Sequence, residues 1–262
     1  MKHKMIRNII NYKTDIDTII FPVGGQGKRI ASFFKSINYK GSKVTFIVKG
    51  KPLLCHSIDS ALELGFKRIF LLTDYHEDNI LQLINKYYYG NKKIQIVRGS
   101  KKGVPHALFS LTSKLTRPFI VSDGNILYNK SFLLKMMPIN TFSNNILVNL
   151  AVSYKDEAKT HLQLLIKKNH VSYIGARVEK SKFKYNGQIS SYYCSLGLMS
   201  ISPKLFKLLP NIKVKKDFDL VLEELFALGL KNGCSYINTQ KYKGNWLAIH
   251  DKLDIDSIIN KC

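Results

Sequence analysis

Thr18-Ile19-Ile20-Phe21-Pro22-Val23-Gly24-Gly25-Gln26-Gly27-Lys28-Arg29 reads as a short apolar strand that runs straight into a glycine-rich turn carrying two cations. β-Branched and aromatic side chains favour the strand. Glycines let the main chain approach a ligand closely, and successive N–H groups can then converge on an anion. Two commoner phosphate loops are excluded by spacing. A P-loop needs Gly where this chain has Pro22 and Ser or Thr where it has Arg29, and the dinucleotide pattern G-x-G-x-x-G does not fit. Alone, the stretch is no more than a glycine-rich turn; its meaning comes from the motifs downstream of it.

Outward from this turn, apolar β-type runs alternate with helix-type segments, the pattern of a mainly parallel sheet covered by helices. The spacing predicts a helix over 53–64 stopped by Gly65, a buried strand over 68–73, a helix over 77–87 and a strand over 94–97. A helix opened by Pro105 is expected over 106–114, then a strand over 119–122 that ends at Asp123. Beyond about residue 145 the β-type runs lengthen: 146–152, 162–166, 171–176 and 192–201. Helices are expected again at 203–209, 220–230 and 253–260. Without repeats or long linkers, residues 1–262 read as one domain with two halves, about 15–145 and about 146–262.

Bulk composition narrows the classes. Hydrophobic residues make up 45% of the 262, enough for a full core, and mean hydropathy is −0.09. No apolar run approaches the ~20 residues that span a bilayer, and the stretch after the basic start is too short for a signal-peptide core. Cys55, Cys194, Cys234 and Cys262 are scattered, which argues against a zinc site or disulfide framework and fits a reducing, cytoplasmic setting. The net charge of +23 comes from 41 basic residues, of which only six are arginines. Nucleic-acid surfaces concentrate charge on one face and favour Arg; an even scatter of Lys implies no specific nucleic-acid partner.

The order of motifs carries a resemblance. Gly24 to Arg29, followed by Lys43 and then Gly50-Lys51-Pro52-Leu53-Leu54, resembles the sugar-1-phosphate nucleotidyltransferases, with their G-G-x-G-x-R turn and their Lys ahead of a G-K-P-L turn. Ser42 stands where that family has Pro, and Ile30-Ala31-Ser32-Phe33-Phe34 where it has a Leu-x-Pro-Leu-Thr run. Gly103-Val104-Pro105-His106-Ala107-Leu108 is similar to its second glycine loop. Asp123 matches the metal-binding Asp, Glu179-Lys180 the acceptor motif, and Ser195 to Met199 the strand whose Gly197 approaches the sugar. Trp246 to Ile255 is similar to the C-terminal W-x-D segment, but Ala248 occupies the position of the second metal Asp.

The resemblance implies a three-layer α/β/α, Rossmann-like fold of GT-A type with a mixed, mainly parallel sheet. It implies transfer of a nucleotidyl group from a nucleoside triphosphate to a sugar 1-phosphate, with Mg2+ as cofactor and pyrophosphate as product. Arg29 and Lys43 are the implied catalytic residues. Gly24, Gly25, Gly27, Lys28, Arg98 and Gly103 would bind nucleotide, and Glu179, Lys180 and Gly197 the acceptor. Asp123, with Asp251 as a second candidate, would hold the metal. A homo-oligomer is compatible with this family. Two alternatives stay open: a non-catalytic homologue that binds ligand only, for which Ala248 speaks, and a GT-A glycosyltransferase, which should carry Asp-x-Asp where this chain has Asp123-Gly124-Asn125.

Overall fold

A computed structural model describes residues 16–99, 103–138, 142, 146–153, 163–167, 170–175, 192–208, 237–244, 246–249 and 255. The strands are β1 (Thr18–Pro22), β2 (Ile47–Val48), β3 (Lys51–Pro52), β4 (Arg68–Thr73), β5 (Ile94–Arg98), β6 (Phe119–Ser122), β7 (Ile126–Leu127), β8 (Val148–Ser153), β9 (Gln163–Lys167), β10 (His170–Gly175), β11 (Tyr192–Ile201), β12 (Ile237–Lys241) and β13 (Leu247–Ala248). The helices are α1 (Ala31–Ser36), α2 (Leu53–Glu63), α3 (Glu77–Tyr88), α4 (Val104–Phe109), α5 (Lys130–Met136) and α6 (Leu205–Leu208).

Nine strands form the central sheet in the order β5-β4-β1-β6-β11-β8-β12-β10-β9. The first four are mutually parallel, with β1 between β4 and β6. β11 enters antiparallel to both β6 and β8, and β10 is antiparallel to β12 and β9. The remaining strands share one direction, so the sheet is mixed but mainly parallel, as expected. β7–β13 and β2–β3 form two small antiparallel pairs.

Parallel strands covered on both faces read as near-continuous apolar runs, and β1, β4 and β6 have them. Ile20, Phe70, Leu72, Phe119 and Val121 face one layer, where Ala107 and Leu108 of α4 pack. Ile19, Phe21, Ile69, Leu71 and Ile120 face the other, against Leu54, Cys55 and Ile58 of α2, Ile80 and Leu83 of α3, and Phe132 and Met136 of α5. A third, smaller cluster gathers Ile30 and Phe34 of the α1 region, Val48, Leu53, Ile249 and Ile255. It ties the segment after the first glycine turn to the β2–β3 hairpin and to the end of the chain.

The helix expected over 106–114 is instead two pieces, α4 and a 3-10 turn at Thr112–Lys114. The Ser110 hydroxyl donates to the Ala107 carbonyl and Thr112 Oγ1 to the Phe109 carbonyl, and such local bonds compete with the helical ladder. α1, α5, β12 and the short pairs are additions to the elements that the sequence pattern predicts. The helices expected at 220–230 and 253–260 lie outside the described residues, apart from Ile255, which is helical and buried.

Leu71 lies in the middle of β4 and is fully buried. Leu71→Ala should lower unfolding free energy by about 3 kcal/mol, with the denaturant slope unchanged. Urea unfolding checks this, with the 88% exposed Tyr89 changed to Ala as a control that should cost less than about 0.5 kcal/mol.

Candidate functional site

The carboxyl ends of β1, β4 and β6 converge, and the chains leaving them touch main chain to main chain. A Cβ on Gly24 would lie 2.0 Å from the Asp74 nitrogen, and the Tyr75 N–H donates to the Gly24 carbonyl over 3.1 Å. A Cβ on Gly124 would lie 2.7 Å from Val23 Cγ1. A third contact extends the crevice to β5, where a Cβ on Gly99 would fall 1.9 Å from Asp74 Oδ1. Gly27 has φ +67°, which L side chains rarely adopt. The glycine turn of residues 24–27 is therefore held at the carboxyl edge of the sheet, where open α/β folds place their ligands.

Asp123 stands at the end of β6 in the same crevice. Its N–H donates to the Gly197 carbonyl over 2.8 Å, and a Cβ on Gly197 would lie 2.4 Å from Asp123 Oδ2. Gly197 has φ +61° and sits where β11 shifts register against β8. The bulge presses backbone onto the carboxylate, so two residues from separate expected motifs are brought together. Asn125 is buried and holds the C-terminal segment: its Nδ2 donates to the Ile249 carbonyl over 2.9 Å and its own carbonyl accepts from Ile249 N–H. That amide is spent on structure, unlike the second carboxylate of an Asp-x-Asp metal motif. Ala248 is buried and pairs with Ile126, three residues after Asp123.

Beside the glycine turn is an open cleft of about 370 Å³. The Gly25–Gly27 turn, α1, the 38–43 loop as far as Lys43, and His76 line it. Aromatic packing holds α1 and the 38–43 loop in place. Phe34 stacks on Phe46 at 5.7 Å between centroids, and Tyr39 meets both rings edge-on. The Tyr39 hydroxyl bonds Thr45 Oγ1 at 2.8 Å, and Thr45 donates to the Ser42 carbonyl. Burial pushes the Tyr39 hydroxyl pKa upward, with the Thr45 bond opposing, so the wall carries no phenolate to repel an anion near neutral pH. Lys28 and Arg29 are exposed at the start of the α1 region and do not line this cleft.

Arg98, expected near the base, is engaged elsewhere. Its Nε and Nη2 both reach the carboxylate of Glu77 at the start of α3, and Thr73 Oγ1 donates to the same carboxylate over 3.2 Å. The guanidinium holds the Glu77 carboxyl below its ordinary range. Sequence reasoning missed Glu77 because the pair spans 21 residues. Gly103 caps α4 with φ +91°. Glu179, Lys180 and Asp251 lie outside the described residues, and those residues contain no cluster of three or more His, Cys, Asp or Glu suited to a metal.

No family model matches the sequence. An 87-residue stretch is 29% identical to the bifunctional protein GlmU of Methanococcus vannielii. An 82-residue stretch is 27% identical to the UTP–glucose-1-phosphate uridylyltransferase AglF of Haloferax volcanii. These stretches are about a third of this chain, and they span 20% and 34% of the two relatives. Among solved structures, the inositol-1-phosphate CTP transferase of T. maritima superposes with a TM-score of 0.71 over 94% of this chain and 96% of that one, at 19% identity. The chain therefore has the fold of that transferase.

Two outcomes test this geometry. Gly197→Ala should displace the Asp123 carboxylate and lower stability, because it adds both a collision and an unfavourable φ; thermal unfolding measures the loss. A carboxyl whose folded pKa is depressed contributes stability above its unfolded pKa and loses it as pH falls through the folded value. The stability difference between wild type and Glu77→Gln should therefore be largest near neutrality and shrink as pH falls below about 4, by urea titration at several pH values.

Proposed function

We propose that the chain transfers a nucleotidyl group from a nucleoside triphosphate to a sugar 1-phosphate, forming a nucleoside-diphosphate sugar and pyrophosphate. The observation that carries this is the meeting, at one edge of the sheet, of the glycine turn, the Lys43-lined cleft and the Asp123–Gly197 contact. A shared fold with a CTP transferase and partial identity to a uridylyltransferase support it.

The reaction needs positioning and charge neutralisation more than covalent chemistry. An oxygen of the acceptor phosphate forms a bond to the α-phosphorus while the bond from that phosphorus to the α–β bridging oxygen breaks. Both electrons of the broken bond leave with pyrophosphate. N–H groups of the 24–27 turn would orient the triphosphate, Lys43 would face the α-phosphate, and Arg29 would neutralise charge on the leaving side. Gly197 would present backbone to the acceptor, which Glu179 and Lys180 would hold by resemblance. On this reading about 15–145 is the nucleotide half and about 146–262 the acceptor half.

Mg2+ characteristically takes one or two carboxylates and completes its shell with substrate phosphates and water. Asp123 fits that requirement; Ala248 offers no oxygen beyond its backbone. The ion, when bound, would neutralise phosphate charge at the α-phosphorus. Ala248 also favours a second reading, a homologue that binds these ligands without turning them over.

Incubating the protein with magnesium, each common nucleoside triphosphate and a panel of sugar 1-phosphates should release pyrophosphate with one matched pair. Silence across the panel, with the protein still stabilised by a nucleotide, would favour the binding-only reading. Lys43→Ala or Arg29→Ala should lower kcat/KM about 100-fold or more while leaving the melting temperature nearly unchanged. Near-normal turnover by either variant would remove that residue from the mechanism.

A further inference from the structure

Lysine is so abundant here that one more lysine says little. What distinguishes the cleft beside the glycine turn is that its charges have one sign. Lys35, Lys40, Lys43 and His76 line it, and its lining contains no Asp or Glu. Another pocket, about 440 Å³ against α2, shows the contrast: Lys130 lies there with Asp59 and Glu63, and Lys130 pairs with Glu63. Among the described residues Lys35 and Lys40 enter no ion pair, whereas Lys51, Arg68, Arg98 and Lys130 each do. A concave wall of one sign concentrates field and selects a multiply charged anion.

The neighbourhood fits a compact anion better than a base or a sugar. Phe34 is 7% exposed and stacked on Phe46, so it has little face to offer a base. The lining contains no carboxylate to accept from sugar hydroxyls. Ser42, directly before Lys43, is buried with a hydroxyl that has no hydrogen-bond partner. The same lining includes the Gly25–Gly27 turn, whose N–H groups suit phosphate oxygens.

We infer that Lys35 and Lys40, which line this cleft beside the phosphate-binding motif, are further binding residues for the distal phosphates. The inference rests on the nucleotidyl-transfer reading and deepens it. Lys35 and Lys40 follow the run in which this sequence departs from the resemblance: Ile30 to Phe34 makes the N-cap and first turn of α1, whose last turn carries Lys35, and the chain continues through Tyr39 to Lys40. Arg29 lines none of this cleft, so α1 and the 38–43 loop would add cations there to the charge that Arg29 supplies on the leaving side.

The test is calorimetric titration of the full chain with sodium pyrophosphate and, separately, with inorganic phosphate, without nucleotide. Wild type should bind pyrophosphate more tightly than phosphate, and the double variant Lys35→Ala, Lys40→Ala should weaken pyrophosphate binding at least about tenfold. Both side chains are exposed, so folding is not at stake. The control Lys92→Ala, Lys93→Ala removes the same charge from an exposed turn before β5 and should change affinity less than about twofold. Equal losses in both double variants would mean the general field of a +23 protein and overturn the inference. So would unchanged affinity in the first variant, or no preference of wild type for pyrophosphate over phosphate. In turnover, the first variant should weaken product inhibition by pyrophosphate and leave the acceptor KM unchanged. A protein that binds pyrophosphate through Lys35 and Lys40 yet releases none from any substrate pair keeps the binding residues and loses the reaction.

Discussion

Three parallel strands ending side by side create a steric problem, because the chain leaving the central one must pass between its neighbours' loops. The structure solves it with backbone-to-backbone contact: Gly24 lies on the Asp74 peptide, and the Gly124 N–H donates to the Pro22 carbonyl. A side chain at Gly24 would meet peptide atoms, not a flexible tip, and those atoms cannot yield without disturbing the β1–β4 ladder. Once Gly24 is placed, the course of the turn is set. Val23 N–H stays bonded to the Leu72 carbonyl, and Ile30 N–H closes onto Gly27. The course of the turn is thus set by the sheet, a preorganisation on which the proposed phosphate chemistry would draw.

A second constraint acts from the other half of the chain. β11 runs against β6, and this reversal lets Gly197, distant in sequence, lie on Asp123. The bulge at Gly197 is the local cost of that approach, and the positive φ is tolerable only without a Cβ. From the other side, the reciprocal Asn125–Ile249 bonds bring β13 beside β7. Asp123 is thus set by contacts from distant parts of the sequence. The chemistry at its carboxylate depends on sheet topology as much as on its own residue type.

Much of the frame was legible in the sequence because buried strands announce themselves. β4, β6 and β11 were expected at the residues where they occur, as apolar β-type runs. α2 and α3 were legible from periodicity and from the Gly65 stop. The shorter elements were not, for reasons of physics. α1 buries only Phe34, and so short a helix has little local stability; the aromatic cluster around Phe46 and Tyr39 holds it. α5 does carry a local signal, Asn129 accepting from the Ser131 N–H as an N-cap, but one cap without a long periodic run is weak evidence for a helix. Two-residue pairs such as β7–β13 have no periodicity to detect. At the site, Gly24 and Asp123 could be read from motif order. The partner of Arg98 could not, since Glu77 lies one strand and one helix away and no local rule links them.

Charge was the quantity for which composition was least informative. A total of +23 describes the protein's average field, and averaged fields bear on solubility and encounter more than on recognition. Recognition depends on where opposite charges fail to meet. Beside α2, the carboxylates Asp59 and Glu63 pair with Lys51 and Lys130, so an abundance of lysine leaves little local excess there. Beside the glycine turn, the aromatic wall contributes no carboxylate, and the cations on its rim share a hollow with backbone N–H donors. On the proposed reading the same residue type serves solubility in one place and anion capture in another. The difference comes from the apolar packing of Phe34, Tyr39 and Phe46, which decides which side chains line the cleft.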